Sequence, residues 1–212
     1  MSFRQRLQSL FGTKQPPRST REIAEFFNRA SQDEEHFPSK IDPRIYHVKL
    51  VLDHLAGART VADVGCGKGR FARLVKDADP SRKVVCLDLS ETMLRHAGAG
   101  LERVTASMTA IPLAGGCCDA AYATESLEHA VDIEGAVREL CRIVRPGGKI
   151  LIIDKNAEHW GRFKTPEWER WFDRREIERL LKRDCRRAES RFISYWEDVE
   201  PDGLFIAWMA EK

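Results

Sequence analysis

The residues best suited to chemistry fall in two short stretches. The first is Asp63-Val-Gly-Cys-Gly-Lys-Gly69, where three glycines alternate with other residues at the end of an apolar run. Gly65 suits a sharp turn, Gly67 lets the backbone approach a ligand, and Gly69 allows the following helix to pack closely. An ordinary tight turn could use the same glycines, so the neighbouring residues must decide. The dinucleotide fingerprint G-x-G-x-x-G wants a small residue at position 70, where this chain has Arg70. Asp63 precedes the first glycine by two residues, and a carboxylate there repels a pyrophosphate but suits a cationic or amino-bearing ligand. The second stretch is Val84-Val-Cys-Leu-Asp88. Asp88 follows Gly69 by 19 residues, well placed to accept hydrogen bonds from both hydroxyls of an adenosine ribose. A strand-end Asp can instead cap a helix, but Ser90 already fills that role.

These residues need a frame. Apolar runs over residues 60–64, 83–87, 102–106, 120–124 and 149–154 read as strands, with helices over 69–77, from a Ser90 cap to about 97, and over 133–144. Strands separated by helices imply a parallel sheet covered on both faces. Arg145-Pro-Gly-Gly148 reads as a turn before the last of these strands. Further on, Asp173 caps a helix carrying Ile177, Leu180 and Leu181. Runs at 189–196 and 204–210, joined by Glu200-Pro-Asp-Gly203, should pair antiparallel.

Ahead of the alternating region, Ser19 or Thr20 starts a helix with Glu22 in its first turn and Ile23, Phe26 and Phe27 on one face. A second helix is expected over 44–55, with Ile45, Val48, Val51 and Leu52 inward. Before both, Phe3, Leu7, Leu10 and Phe11 form one stripe of a short helix flanked by arginines, ending in the breaker cluster Gly-Thr-Lys-Gln-Pro-Pro-Arg-Ser-Thr. That segment packs on the domain or a partner, touches a membrane surface through residues 1–12, or forms a flap over the site. The chain thus divides into an N-terminal amphipathic segment (1–20), a helical cap (21–58) and a main domain (59–212).

Composition narrows the class. The 212 residues carry a net charge of +2, so bulk charge gives no reason to expect nucleic acid as a partner. The Arg-rich stretch from 162 to 191 is interleaved with acids and reads as a solvated helix face. Six cysteines show neither a C-x-x-C pair nor a zinc or iron–sulfur spacing, so no metal is expected. No apolar run approaches the roughly 20 residues that span a bilayer, and no signal peptide is evident. A reduced, cytoplasmic protein of enzyme size is the expectation.

Taken in order, Asp-Val-Gly-Cys-Gly-Lys-Gly-Arg-Phe71, Cys86-Leu-Asp-Leu-Ser-Glu-Thr-Met-Leu94, Met108-Thr-Ala-Ile-Pro-Leu113, Ser126-Leu-Glu-His-Ala130 and Arg138-Glu-Leu-Cys-Arg-Ile-Val-Arg-Pro-Gly-Gly-Lys-Ile-Leu-Ile152 resemble the class I S-adenosylmethionine-dependent methyltransferases, most closely their small-molecule branch. The resemblance covers residues 60–154. It implies an α/β, Rossmann-like sheet of seven strands, mostly parallel, with helices on both faces and an antiparallel last strand. It also implies S-adenosylmethionine as cofactor, S-adenosylhomocysteine as product, and a small or lipid-like methyl acceptor.

Site roles follow from the same resemblance. Asp63 and the backbone of Gly65, Cys66 and Gly67 would hold the methionine part, with Gly69 completing the turn. Asp88 would take the ribose, Leu89 and Met93 the adenine. Ser107 and Met108 stand where the family often has an Asp for the adenine amino group, which weakens that contact. Glu125 and Ser126 would line the pocket near the reacting methyl, and His129 would sit at its mouth as a possible base. His159 and Trp160 lead into a segment, about 156–172, that caps the site in the family, and are the candidates for acceptor contacts. Trp160, Trp168 and Trp171 with Phe163 and Phe172 form one aromatic cluster there. Enzymes that methylate exocyclic nitrogens use D/N-P-P-F/Y, where this chain has Ala123-Thr-Glu-Ser126. Asp154 and Asn156 leave only a faint metal-binding possibility. Two alternatives stay open: a nicotinamide-dependent oxidoreductase on the same sheet, and a cofactor-binding partner subunit without catalysis.

Overall fold

The computed structural model describes residues 19–166 and 168–212. The amphipathic stripe at residues 3–11 and the membrane contact expected of residues 1–12 lie outside that range. The described chain begins with α1 (Thr20–Ala30) and α2 (Tyr46–His54), then alternates β1 (Thr60–Val64), α3 (Arg70–Ala78), β2 (Lys83–Asp88), α4 (Glu91–Arg95), β3 (Glu102–Thr105), β4 (Cys118–Thr124), α5 (Ile133–Ile143) and β5 (Val144–Lys155). It closes with α6 (Arg174–Leu181), β6 (Arg187–Ile193) and β7 (Phe205–Glu211). No helix among the described residues is long and apolar enough to cross a membrane.

The strands form one sheet in the order β3-β2-β1-β4-β5-β7-β6. β1 to β5 run parallel, while β7 lies antiparallel to both β5 and β6. The Rossmann-like α/β sheet expected from the resemblance is therefore the fold. Because the chain steps outward from β1 to β3 and returns to β4, strand order reverses between β1 and β4. In an open α/β sheet that reversal leaves a crevice beyond the carboxyl ends of those strands.

Both faces of the sheet are covered, which explains why the central strands are apolar throughout rather than alternating. On one face Ala136, Val137 and Leu140 of α5 and Ile177 and Leu181 of α6 pack on Ala121, Ile150 and Ile152. On the other, Val48 and Val51 of α2 and Phe71, Ala72 and Val75 of α3 pack on Val61, Tyr122 and Leu151. α1 starts on a complete capping box, with Ser19 accepting from the Glu22 amide and the Glu22 carboxylate accepting from the Ser19 amide.

Two expectations need correction. Residues 145–148 do not separate two elements. β5 already pairs Val144 with Cys118, and the next pairing, Lys149 with Ala120, leaves those four residues as a bulge. The bulge is held by the C-terminus, since the Gly147 amide donates to the Lys212 carbonyl (2.8 Å) and the Lys212 amide to the Gly148 carbonyl (3.0 Å). The aromatic cluster also divides. Trp160 and Phe163 lie against Trp171, with ring centroids 5.4 and 6.3 Å away, whereas Phe172 packs on Trp208 in the core and Trp168 on Phe26 of α1.

Candidate functional site

The three glycines after β1 serve three ends. Gly65 (φ +76°) has no room for a side chain: a Cβ there would lie 2.5 Å from the Cβ of Ser126 and 2.7 Å from its Oγ. Gly67 (φ +54°) faces open space, with nothing within 4 Å of such a Cβ. Gly69 caps α3 in the left-handed conformation and packs on Ala97, away from the crevice. The turn is tied to β2, the Gly65 and Cys66 amides donating to the Leu87 carbonyl at 2.8 and 3.0 Å.

Asp88, at the end of β2, is pinned from two sides. The Gly67 amide donates to its Oδ2 at 2.7 Å and the Ser90 amide to its Oδ1 at 2.8 Å. Burial raises its pKa, opposed by those amide bonds. The Ser90 hydroxyl accepts from the Met93 amide, starting α4.

These elements surround a cavity of about 1110 Å³, counted to its open mouth. Of the residues anticipated from sequence, Gly65, Cys66, Gly67, Asp88, Leu89, Met93, Ser107, Met108, Glu125, Ser126 and His129 line it. Ser107 does so with its hydroxyl already engaged: Oγ lies 2.8 Å from Thr109 Oγ1 and accepts from the Thr109 amide.

Four anticipated residues do not line it. Asp63 lies beneath the turn, its Oδ2 accepting from the Tyr122 hydroxyl at 2.9 Å and its buried Oδ1 without a partner among the described residues. Burial pushes its pKa up to about 7. Gly69 is packed away on Ala97, as described above. His159 stands beside Gly203, on the far side of β5, and Trp160 is 54% exposed on the outer surface. His159 ends the 3₁₀ turn Ala157–His159 and Trp160 follows it, with the Asn156 side-chain amide ahead of the turn donating to the Gly203 carbonyl at 2.8 Å.

The mouth is covered instead by residues 20–38, which supply Thr20, Ile23, Phe27, His36, Phe37 and Pro38. Asn28 Oδ1 accepts from the Ser90 and Thr92 hydroxyls at 2.7 and 2.8 Å, fixing α1 to α4. Lys68, inside the glycine turn, pairs with Glu34 at 2.5 Å. Phe26, Phe27 and Phe37 meet edge to face. The Ile23–Phe27 stripe was visible in the sequence, but nothing local showed which surface it covers.

Glu125 and His129 face the cavity from opposite sides of Ser126 in the chain. Glu125 has a left-handed backbone (φ +50°), unusual for a residue with a side chain. Its Oε1 lies 3.3 Å from Arg70 Nη2 and 3.6 Å from His47 Nδ1. Burial opposes its ionisation, yet His47, Arg70 and Lys155 hold its pKa down at about 2. It is an anion at any working pH.

His129 packs its ring edge-on against Phe27 at 4.9 Å, and its buried Nδ1 makes no hydrogen bond among the described residues. Burial lowers its pKa to about 4, with Lys155 acting the same way and Glu169 opposing. A neutral imidazole therefore meets the cavity, able to orient a hydroxyl or amine but weakly basic.

Behind His129 lies a buried charge network. Lys155 Nζ bonds Glu128 Oε2 at 2.6 Å and Glu169 Oε1 at 3.1 Å, and Trp171 Nε1 donates to Glu169 at 2.7 Å. Glu128, His129 and Glu169 bring three donor atoms within 4.8 Å of one another, but the Lys155 ammonium already sits against both carboxylates. Asp154 spends its carboxylate on the Glu128 and Lys155 amides, while Asn156 Nδ2 donates to the Gly203 carbonyl and its Oδ1 accepts from the Glu158 amide.

The donor set fits S-adenosylmethionine. A pinned carboxylate suits a ribose diol, and Leu89, Met93 and Met108 offer apolar surface for a flat base. The space open beside Gly67 admits a ligand against the backbone, and an ionised Glu125 suits an ammonium group.

Comparison with known proteins agrees. Residues 62–152 match the family described as a methyltransferase domain. A malonyl-[acyl-carrier protein] O-methyltransferase of Pseudescherichia vulneris is 35% identical over 135 residues, 61% of this chain and 52% of that protein. A ubiquinone/menaquinone biosynthesis C-methyltransferase of Syntrophotalea carbinolica is 36% identical over 107 residues, 47% of this chain and 45% of that protein. The chain thus spans about half the length of the curated relatives it matches. Among solved structures, the Burkholderia thailandensis 1,6-didemethyltoxoflavin-N1-methyltransferase with bound 1,6-didemethyltoxoflavin and S-adenosylhomocysteine superposes with a TM-score of 0.69 at 17% identity, covering 93% of this chain and 92% of that one.

Proposed function

We infer from its membership of the class I S-adenosylmethionine-dependent methyltransferases that this chain moves a methyl group from S-adenosylmethionine to an oxygen, nitrogen or carbon of a small or lipid-like molecule. The observation that carries the reading is the convergence of the glycine turn, Asp88, Glu125 and His129 on one cavity at the reversal of strand order. The relatives named for malonyl-[acyl-carrier protein] and for ubiquinone/menaquinone biosynthesis support an acceptor of that size and character.

The sulfonium of the bound cofactor supplies a methyl group that is already a good electrophile. What the chain must add is binding, alignment and exclusion of water. The Gly65–Gly67 backbone receives the methionine part, with Asp63 buttressing the turn from below through Tyr122. Asp88, held by two amides, accepts the ribose hydroxyls, and Leu89, Met93, Ser107 and Met108 enclose the base. Glu125 receives an ammonium, and Ser126 closes against β1 by donating to the Val64 carbonyl at 2.9 Å.

At the outer end, Phe27 and the neutral His129 hold the acceptor, the ring by contact and the imidazole by a hydrogen bond. Because His129 is weakly basic, its work is orientation rather than strong proton abstraction. The six cysteines are all free, which suits a reducing compartment such as the cytoplasm.

The test is calorimetric titration with S-adenosylhomocysteine and, separately, with NAD, followed by a methyl-transfer screen against a cell extract. Binding of S-adenosylhomocysteine and label transfer are expected. Binding of NAD alone would overturn the reading, and cofactor binding with no acceptor labelled would favour a non-catalytic partner subunit. Asp88→Ala should weaken S-adenosylhomocysteine by about 10–100-fold, the range for losing hydrogen bonds to a charged group. Unchanged affinity in the folded variant would remove Asp88 from the site.

A further inference from the structure

His47 lies outside the matched segment and outside the cavity wall, yet it touches the cavity's fixed negative charge. Its side chain, on α2, is fully buried, with the rings of Tyr195 and Phe205 edge-on at 5.1 and 4.7 Å. Neither ring nitrogen makes a hydrogen bond among the described residues. Packing alone gives no reason for this residue type. A buried polar nitrogen without a hydrogen bond is costly, and a leucine or phenylalanine would fill such a space without that penalty.

The direction of the ring supplies the reason. Nδ1 stands 3.6 Å from Glu125 Oε1, while Arg70 reaches the same oxygen from α3. Glu125 needs such support, because a left-handed glutamate carries backbone strain that persists only where the surroundings fix it. Two groups from two helices therefore meet one carboxylate oxygen, on a residue held to β5 by its amide bond to the Ile153 carbonyl at 2.8 Å.

We propose that His47 is a positioning residue, fixing the orientation in which Glu125 receives the α-ammonium group of S-adenosylmethionine. The proposal rests on the functional reading above. His47 does not meet the ligand; it acts through Glu125 alone. That gives it a signature which loss of packing would not share: its effect on ligand affinity disappears once the Glu125 charge is gone.

The experiment is a double-mutant cycle read by calorimetry with S-adenosylhomocysteine, which keeps the α-ammonium. Wild type, His47→Phe, His47→Asn, Glu125→Gln and the His47→Phe/Glu125→Gln pair are titrated, with thermal melting to establish folding. Glu125→Gln is expected to weaken binding about 10–100-fold, the scale of a charge-assisted hydrogen bond. His47→Phe, which keeps a ring against Tyr195 and Phe205, should cost about 5–10-fold alone but less than about twofold beside Glu125→Gln. His47→Asn, which can still present a nitrogen to Oε1, should bind within about twofold of wild type.

Equal losses from His47→Phe in both backgrounds, or no loss in either, would overturn the proposal, as would an Asn variant that binds no better than the Phe variant. Should His47→Phe fail to fold, His47→Leu takes its place in both backgrounds and the same outcomes decide. Absence of S-adenosylhomocysteine binding by the wild type would instead bring down the functional reading, and this proposal with it.

Discussion

At the floor of the cavity, the glycine turn and Asp88 are joined by backbone amides and leave little freedom: Gly65 touches Ser126, and Gly67 and Ser90 clasp one carboxylate. The lid over it is joined by side chains that reach far along the chain, Asn28 to Ser90 across 62 residues and Lys68 to Glu34 across 34. The floor is thus set by what the backbone can adopt, and the lid by contacts that can each be exchanged at modest cost. A fixed floor suits an unchanging cofactor, and an adjustable lid suits an acceptor that differs between relatives.

Three measurements bear on that contrast. The largest effect is expected from Gly65→Ala, which combines a positive φ with a Cβ only 2.5 Å from another. S-adenosylhomocysteine affinity should fall about 100-fold or more, with a lower melting temperature. A variant that binds normally would show the floor to be as adaptable as the lid.

Phe27→Ala should act on the other half, raising the acceptor KM by about tenfold while S-adenosylhomocysteine affinity stays within about threefold of wild type. Trp160→Ala, outside the cavity, should move neither value by more than about twofold. If Trp160 rather than Phe27 changes the acceptor KM, the acceptor enters from the 156–172 side and the lid assignment is wrong.

The smallest effect concerns pH. An unfolded histidine takes up a proton near pH 6.5, whereas His129 in the fold does so only near 4. Between those values the unfolded state binds more protons, so stability is present above about 6.5 and is lost as pH falls. Relative to His129→Gln, the wild type should lose about 1–2 kcal/mol of unfolding free energy between about pH 7 and pH 5, measured by denaturant titration. Parallel curves would mean that His129 is hydrated rather than enclosed by Phe27.

The same contrast explains what the sequence could reveal. The turn at 63–69, the acid at 88 and the order of strands and helices are written in adjacent residues, because glycine freedom, strand-end carboxylates and apolar periodicity are local properties. Asp63 was visible as a strand-end acid, but its placement beneath the turn depends on Tyr122, 59 residues away. Residues 145–148 read correctly as breakers, yet they stay in β5 because the C-terminus bonds them. His159 and Trp160 were aimed at the acceptor by analogy, and neither lines the cavity. Phe27 and His47 carried no chemical signal at all, since a phenylalanine and a histidine on helix faces read as packing until their partners are known.

Lys68 sits between Gly67 and Gly69, so the loop that shapes the ligand's berth also grips the cover above it. Its side chain is 1% exposed while that of Glu34 is 57% exposed, an ion pair with one dry end and one wet end. Lifting the cover breaks a contact worth little beside water, and at the same moment returns a dry ammonium to hydration. These two changes oppose each other, so this ion pair adds little to the hold on the cover, and dissolved salt screens its exposed partner.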